Sequence, residues 1–288
     1  MKKTIIAASI AAVVAAPAAF ADVSVSGNVY GEATDSDAQV FTDLFFKASE
    51  DLGNGMKVSS VIQIVGDNAS TSSATYTDDQ STTAATTMDV ASQTAGERSV
   101  SLAGDFGTIQ AGRMEANIEN KVWSMAANDP SHQATIETAG NQVWIAGVRY
   151  TTPSFNGVSA VYETDQADFT GWGVNYSGHG LTAKYGKEDN GTDEFTSWAI
   201  KYGMNGLNAT YAVLDNTTDD VKDTYMGVDY TMGAIKVAYA QVSGDTNDGD
   251  STMSVAYSLS KSTTAYIAAD KDDSADDTNT VFGLVQKF

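Results

Sequence analysis

Reactive chemistry needs nucleophiles, proton carriers or metal ligands at set spacings, and this sequence supplies few of them. It has no cysteine and two histidines, His132 and His179, which stand far apart. Neither has a Cys or His partner at metal-ligand spacing, so no metal centre is expected. Serine, histidine and aspartate all occur, but no nucleophile-elbow motif holds a serine, and nothing supports a hydrolase. No cofactor motif is present, and the chain is not expected to be an enzyme. Two acid-rich runs, "SGDTNDGDS" (243–251) and "DKDDSADDTN" (270–279), read first as solvated loops. The sharper reading is weak Ca²⁺ or Mg²⁺ binding, although EF-hand spacing is not met. What remains is electrostatics: many acids, and only three arginines in the chain, Arg98, Arg113 and Arg149.

The N-terminus places these charges outside the cytoplasm. "MKKTIIAASIAAVVAAPAAFA" has two lysines, an apolar run from about Ile5 to Ala16, and small residues around Ala21, as in a secretory signal peptide cleaved after Ala21. A membrane anchor would need about 20 apolar residues, longer than this run. Residues 1–21 are therefore expected to be removed, leaving 22–288 as one domain. Loss of Lys2 and Lys3 takes the net charge from −21 to −23. Such acidity argues against nucleic acid as a partner and for attraction of cations. An exported chain without disulfides needs a large core or a closed hydrogen-bonding ladder.

The elements that must position the charges are strands. In "STMSVAYSLS", Met253, Val255, Tyr257 and Leu259 alternate with Thr252, Ser254, Ala256 and Ser258. In "GAIKVAYAQV", Ile235, Val237 and Tyr239 alternate with Lys236, Ala238 and Ala240. "TSWAIKYG" and "GLTAKYGKE" set Trp198, Ile200, Tyr202, Leu181, Ala183 and Tyr185 against Lys201 and Lys184. A period of two means strands. Sixteen such segments are expected between residue 23 and Phe288, among them 56–66 and 97–103. Two long gaps separate them: 67–96, a Ser/Thr-rich stretch, and 114–141, which carries Trp123, two Met and several acids.

A water-soluble β-sandwich also alternates, but its apolar faces meet each other and favour Leu, Ile and Phe. Here they are rich in Tyr and Trp near strand ends, the girdle of a lipid-facing band, while Gly, Ser, Thr and Lys fill the opposite face. Most segments approach the roughly 9–11 residues of a tilted membrane span. No strand edge can stay unpaired in hydrocarbon, so the sheet must close. The expected fold is all-β: a 16-stranded antiparallel transmembrane β-barrel around an aqueous channel. In that frame Phe288, the last residue, stands on the lipid side of the final strand with Phe282 and Leu284.

Several stretches resemble the general porins of Gram-negative outer membranes. "FFKASEDLGNGMKVSSVIQ" is similar to that family's second strand, first periplasmic turn and third strand. "ERSVSLAGDFGTIQAGR" is similar to its fourth and fifth strands, and "VRYTTPSFNGVSAVY" to its sixth and seventh. The resemblance implies a barrel in the bacterial outer membrane, commonly a homotrimer, passing ions and small hydrophilic solutes by passive diffusion. It implies a third external loop, here about 114–141, folded inward to narrow the pore. Its constriction acids would be Glu115, Glu119, Asp129 and Glu137, faced by a basic wall of Lys47, Arg98, Arg113 and Arg149. Arg149 and Lys47 are inward by parity, whereas Arg98 shares parity with Val100 and Leu102, and Arg113 with Ile109. Asp43, Glu163 and Asp229 add to the negative side, so cation selectivity is expected. Phe288 would be part of the signal read by the barrel assembly machinery, and the acid-rich loops could bridge to lipopolysaccharide phosphates through Ca²⁺ or Mg²⁺. A substrate-selective porin with a sugar or peptide track is the first alternative. A secreted acidic β-sheet protein stabilised by Ca²⁺ is the second.

Overall fold

The computed structural model describes residues 22–34, 38–75, 87–116, 144–245, 248–272 and 277–288. The expected leader, 1–21, lies outside them. Sixteen strands follow in chain order. They are β1 Asp22–Ala33, β2 Ala38–Gly53, β3 Met56–Thr75, β4 Thr87–Gly104, β5 Gly107–Glu115, β6 Trp144–Thr151, β7 Val158–Asp165 and β8 Thr170–Gly178. After these come β9 Leu181–Asp189, β10 Glu194–Met204, β11 Leu207–Asn216, β12 Val221–Met232, β13 Ile235–Gly244, β14 Asp248–Ser258, β15 Thr263–Asp272 and β16 Asp277–Lys287. Every strand pairs antiparallel with its chain neighbours, and β1 pairs with β16, so the sheet is a closed barrel.

The seam is made by the last residue. Gly27 N donates to Phe288 O at 3.0 Å and Phe288 N to Gly27 O at 3.1 Å. Phe288 is therefore a ladder residue, not a frayed tail. Above it Gly283 is required by a close approach. A Cβ there would lie 2.1 Å from the Tyr266 ring, which crosses Gly283 to donate its hydroxyl to Glu32. One inner-face hydrogen bond thus spans β15, β16 and β1.

Short turns, most of them of two residues, close one end of the barrel. At His179-Gly180 and Asn205-Gly206 both central residues have positive φ, 55° and 78°, then 51° and 84°. This is the mirror-image turn whose twist suits a tight hairpin. His179 is a turn residue.

The register separates the two faces all the way round. Tyr150, Tyr202, Tyr230 and Tyr257 stand outward within two residues of the short-turn end. Met226, Val228, Met253 and Val255 lie outward above them, each at least 38% exposed. This is an apolar band with an aromatic rim. The expected spans hold for most strands, but β3 and β4 are longer than 56–66 and 97–103. Their ladder continues through Thr71↔Ala91 to Thr75↔Thr87. Backbone pairing needs no apolar alternation once a strand has left the hydrocarbon, so this extension is silent in the sequence pattern. The gap expected over 67–96 is accordingly strand in large part, with 76–86 outside the described residues.

Candidate functional site

The inner face carries charged and polar side chains beside buried apolar clusters, and one connected polar group surrounds Arg149. β6 and β7 place Arg149 opposite Glu163, and β5 places Gln110 on the other side. Arg149 Nε donates to Glu163 Oε2 at 2.6 Å, with side-chain exposures of 11% and 0%. One terminal nitrogen donates to Gln110 Oε1 at 3.3 Å, and the other to the Glu115 carbonyl. Gln110 Nε2 in turn donates to Glu97 Oε1 at 2.7 Å and to Ser99 Oγ at 2.9 Å. A buried guanidinium is tolerated because a carboxylate neutralises it and both terminal nitrogens find acceptors. Arg149 therefore ties four strands of wall together, and its charge is cancelled by Glu163.

The other two arginines are on the opposite side of the wall. Arg98 pairs with Ile62 on β3 and with Arg113 on β5, in the outward row that includes Val25 and Phe46. The expectation that Arg98 and Arg113 form the basic lumen wall is thus corrected: side chains alternate, and these two fall on the outward beat. Arg113 lies over the Trp144 ring, 4.2 Å from its centroid, and donates to the Gly96 carbonyl at 2.8 Å. Lys47 is inward as expected, with its ammonium 4.9 Å from the centroid of the Phe45 ring.

Of the four expected constriction acids, Glu119, Asp129 and Glu137 lie outside the described residues. Glu115 closes β5 opposite Trp144, in the outward row of Arg113 by parity. Its backbone carbonyl meets the lumen network, through Arg149. At the roots of the third loop, inward Met114 and Ile145 cluster with Ala116 and Phe169, all 4% exposed or less. Other apolar clusters stand on the same inner face, among them Ala199, Ala212, Leu214, Tyr225, Ala240 and Val242 on β10 to β13.

Asp43, Glu163 and Asp229 are inward as expected. Asp43 accepts from Gln63 Nε2 at 2.9 Å; Asp229 accepts from Asn208 Nδ2 at 2.9 Å and lies 3.6 Å from Lys236. Sequence reasoning had placed Lys184, Lys201 and Lys236 on the small-residue face without giving them a role. It missed Glu32, Glu97, Glu188, Asp223 and Asp270 as inner-wall acids, although strand parity identifies them: Glu97, for one, stands on the beat of Ser99 and Ser101, opposite that of Val100 and Leu102.

The chain resembles solved structures over its whole barrel. Two mutant forms of the porin of Rhodopseudomonas blastica match with TM-scores of 0.69 and 0.70, at 12% and 10% sequence identity. Each match covers 93% of this chain and 100% of the other. At that identity the likeness is one of fold. No curated protein matches the sequence. The family model for Gram-negative porins matches residues 7–277. With that match the secreted Ca²⁺-binding alternative falls away. A closed sixteen-stranded barrel with an apolar outer band and a charged inner wall, matched by this family over nearly its full length, belongs to the Gram-negative porins and is a channel of the bacterial outer membrane.

Proposed function

We propose that the protein passes ions and small hydrophilic solutes by passive diffusion, with a preference for cations. The observation that carries this reading is the balance of the inner wall. Its one arginine, Arg149, is cancelled by Glu163, Arg98 and Arg113 are absent from it, and its lysines, Lys47, Lys57, Lys184, Lys201, Lys236 and Lys287, are outnumbered by the inward acids Asp22, Glu32, Asp43, Asp51, Glu97, Glu188, Asp223, Asp229 and Asp270. Charge on a channel wall decides which ions enter. Removing two arginines from the expected wall makes the lumen more negative than the sequence reading had it.

The constriction belongs to the third loop. Its roots support an inward path: Arg149 holds the Glu115 carbonyl, and Met114, Ala116, Ile145 and Phe169 form a buried base on the lumen side. Glu119, Asp129 and Glu137 then supply the acids that narrow the pore. Assembly as a homotrimer uses the wall from β1 to β6, whose outward row holds Val23, Val25, Ile62 and Val100 along with two arginines. Export removes residues 1–21. Phe288, outward at the seam, serves the barrel assembly machinery, and its deletion is expected to lower the level of folded, heat-modifiable protein in outer membranes. The acid-rich loops meet lipopolysaccharide phosphates through divalent cations.

Liposome swelling tests the diffusion reading. Rates should fall smoothly with solute size across sugars and amino acids of different chemistry. A solute that enters much faster than others of its size would favour the substrate-selective alternative.

A further inference from the structure

The inner-wall charges are sorted along the barrel axis. Lys57, Lys184, Lys201, Lys236 and Lys287 all face inward, and each stands within three residues of the short-turn end of its strand. The acids take the other end. Glu32, Glu188, Asp223 and Asp270 face inward within two residues of the long-loop ends of β1, β9, β12 and β15. Asp43 and Glu97 follow them, ten and seven residues from the short-turn ends of β2 and β4. Among the described residues, no lysine or arginine stands on the inner row in the long-loop half. Lys187, Lys222 and Lys271 occur there, but on the outward beat. The sorting is incomplete at the short-turn end, where Asp22 also faces inward at the start of β1. Asp229 lies beside Lys236, and Asp51 is inward opposite Lys57 while accepting from Gly53 N at 2.8 Å.

We propose that this axial polarity makes the channel conduct asymmetrically, with larger current when the external side is positive. The inference rests on the diffusion reading above. The long-loop half gathers cations and the short-turn half, periplasmic in this family, gathers anions. With the external side positive, cations pass through the acidic half towards the lysines, and anions pass through the lysine half towards the acids. Each is slowed where the wall has its own sign, so both accumulate mid-channel and conductance rises. The opposite polarity draws both ions out of the middle faster than the far half replaces them, and conductance falls. The mechanism needs no moving part.

The test is the current–voltage curve of the full mature protein in a planar bilayer, with each channel's direction identified. Thr192, exposed in the turn between β9 and β10, gives a handle: a biotinylated Thr192→Cys channel is perturbed by streptavidin only from the external side. In about 0.1 M KCl the Debye length of about 10 Å spans much of the lumen, and the current at about 100 mV should be roughly 1.5-fold larger with the external side positive. In about 1 M KCl, where the length shrinks to about 3 Å, the ratio should approach one. The variant Asp43→Asn with Asp270→Asn keeps the acceptors used by Gln63 and Thr252, and its low-salt ratio should fall. An ohmic curve at low salt, or larger current with the external side negative, overturns the proposal while leaving the porin reading intact. Absence of any conductance overturns both.

Discussion

The two sides of the wall formed by β4, β5 and β6 hold all three arginines and treat them differently. On the inner side Arg149 is surrounded by its own chain: Glu163, Gln110 and the Glu115 carbonyl take its donors. On the outer side Arg113 stacks on Trp144 and reaches one backbone carbonyl, and Arg98 stands exposed across from it. Elsewhere the outward face carries Tyr, Met and Val in a regular band. A guanidinium facing lipid near the bilayer midplane costs about 2–4 kcal/mol. The difference teaches that a charged residue in a barrel is defined by its beat in the alternation before it is defined by its type. It also sets the outer surface of β4 and β5, with its two arginines, apart from the regular apolar band elsewhere.

The largest effect is expected on the inner side. Glu163→Gln leaves the Arg149 guanidinium buried without its counter-charge and should destabilise the barrel by about 3–5 kcal/mol. Urea-induced unfolding in lipid vesicles measures this. A change near zero would mean that Arg149 is compensated by water or by the loop, and the contrast between the two sides would weaken.

The outer side offers a control and a test. Met253→Arg puts a guanidinium into the regular apolar band and should cost about 2–4 kcal/mol in the same assay. If it were tolerated as well as native Arg98, the β1–β6 wall would not be special. Replacing Arg98 and Arg113 together by Leu separates the two environments. Against lipid the change would stabilise the monomer and leave assembly unaffected. Against a neighbouring subunit it should weaken association by roughly 2 kcal/mol, because it deprives partner acids of their cations. The expected outcome is the second, read as trimer dissociation at lower temperature on native gels.

The fold was legible in the sequence because a lipid-facing strand must alternate. Met253, Val255 and Tyr257 against Thr252, Ser254 and Ala256 state both the strand and its two environments. The far ends of β3 and β4 were not legible, because Ser/Thr strands in water obey no such constraint. The site was legible only in part. Parity placed Arg149 and Lys47 correctly, and it already set Arg98 with Val100 and Leu102. Family resemblance then drew Arg98 and Arg113 into a basic wall that their beat excludes. The pairing of Arg149 with Glu163 was not readable, since register between strands depends on turn geometry across residues 152–157. The lysines gathered at the short-turn end are visible once strand ends are known, and invisible before.

The lumen is expected to favour cations because its arginines are cancelled or turned outward and its inward acids outnumber its lysines. The reversal potential across a KCl gradient tests it most directly. With the external and periplasmic solutions about tenfold apart at low ionic strength, the potential should take the sign set by K⁺ and shrink as salt is raised and charge is screened. A potential with the sign set by Cl⁻ in the unmodified protein, or one near zero at low salt, would contradict the account.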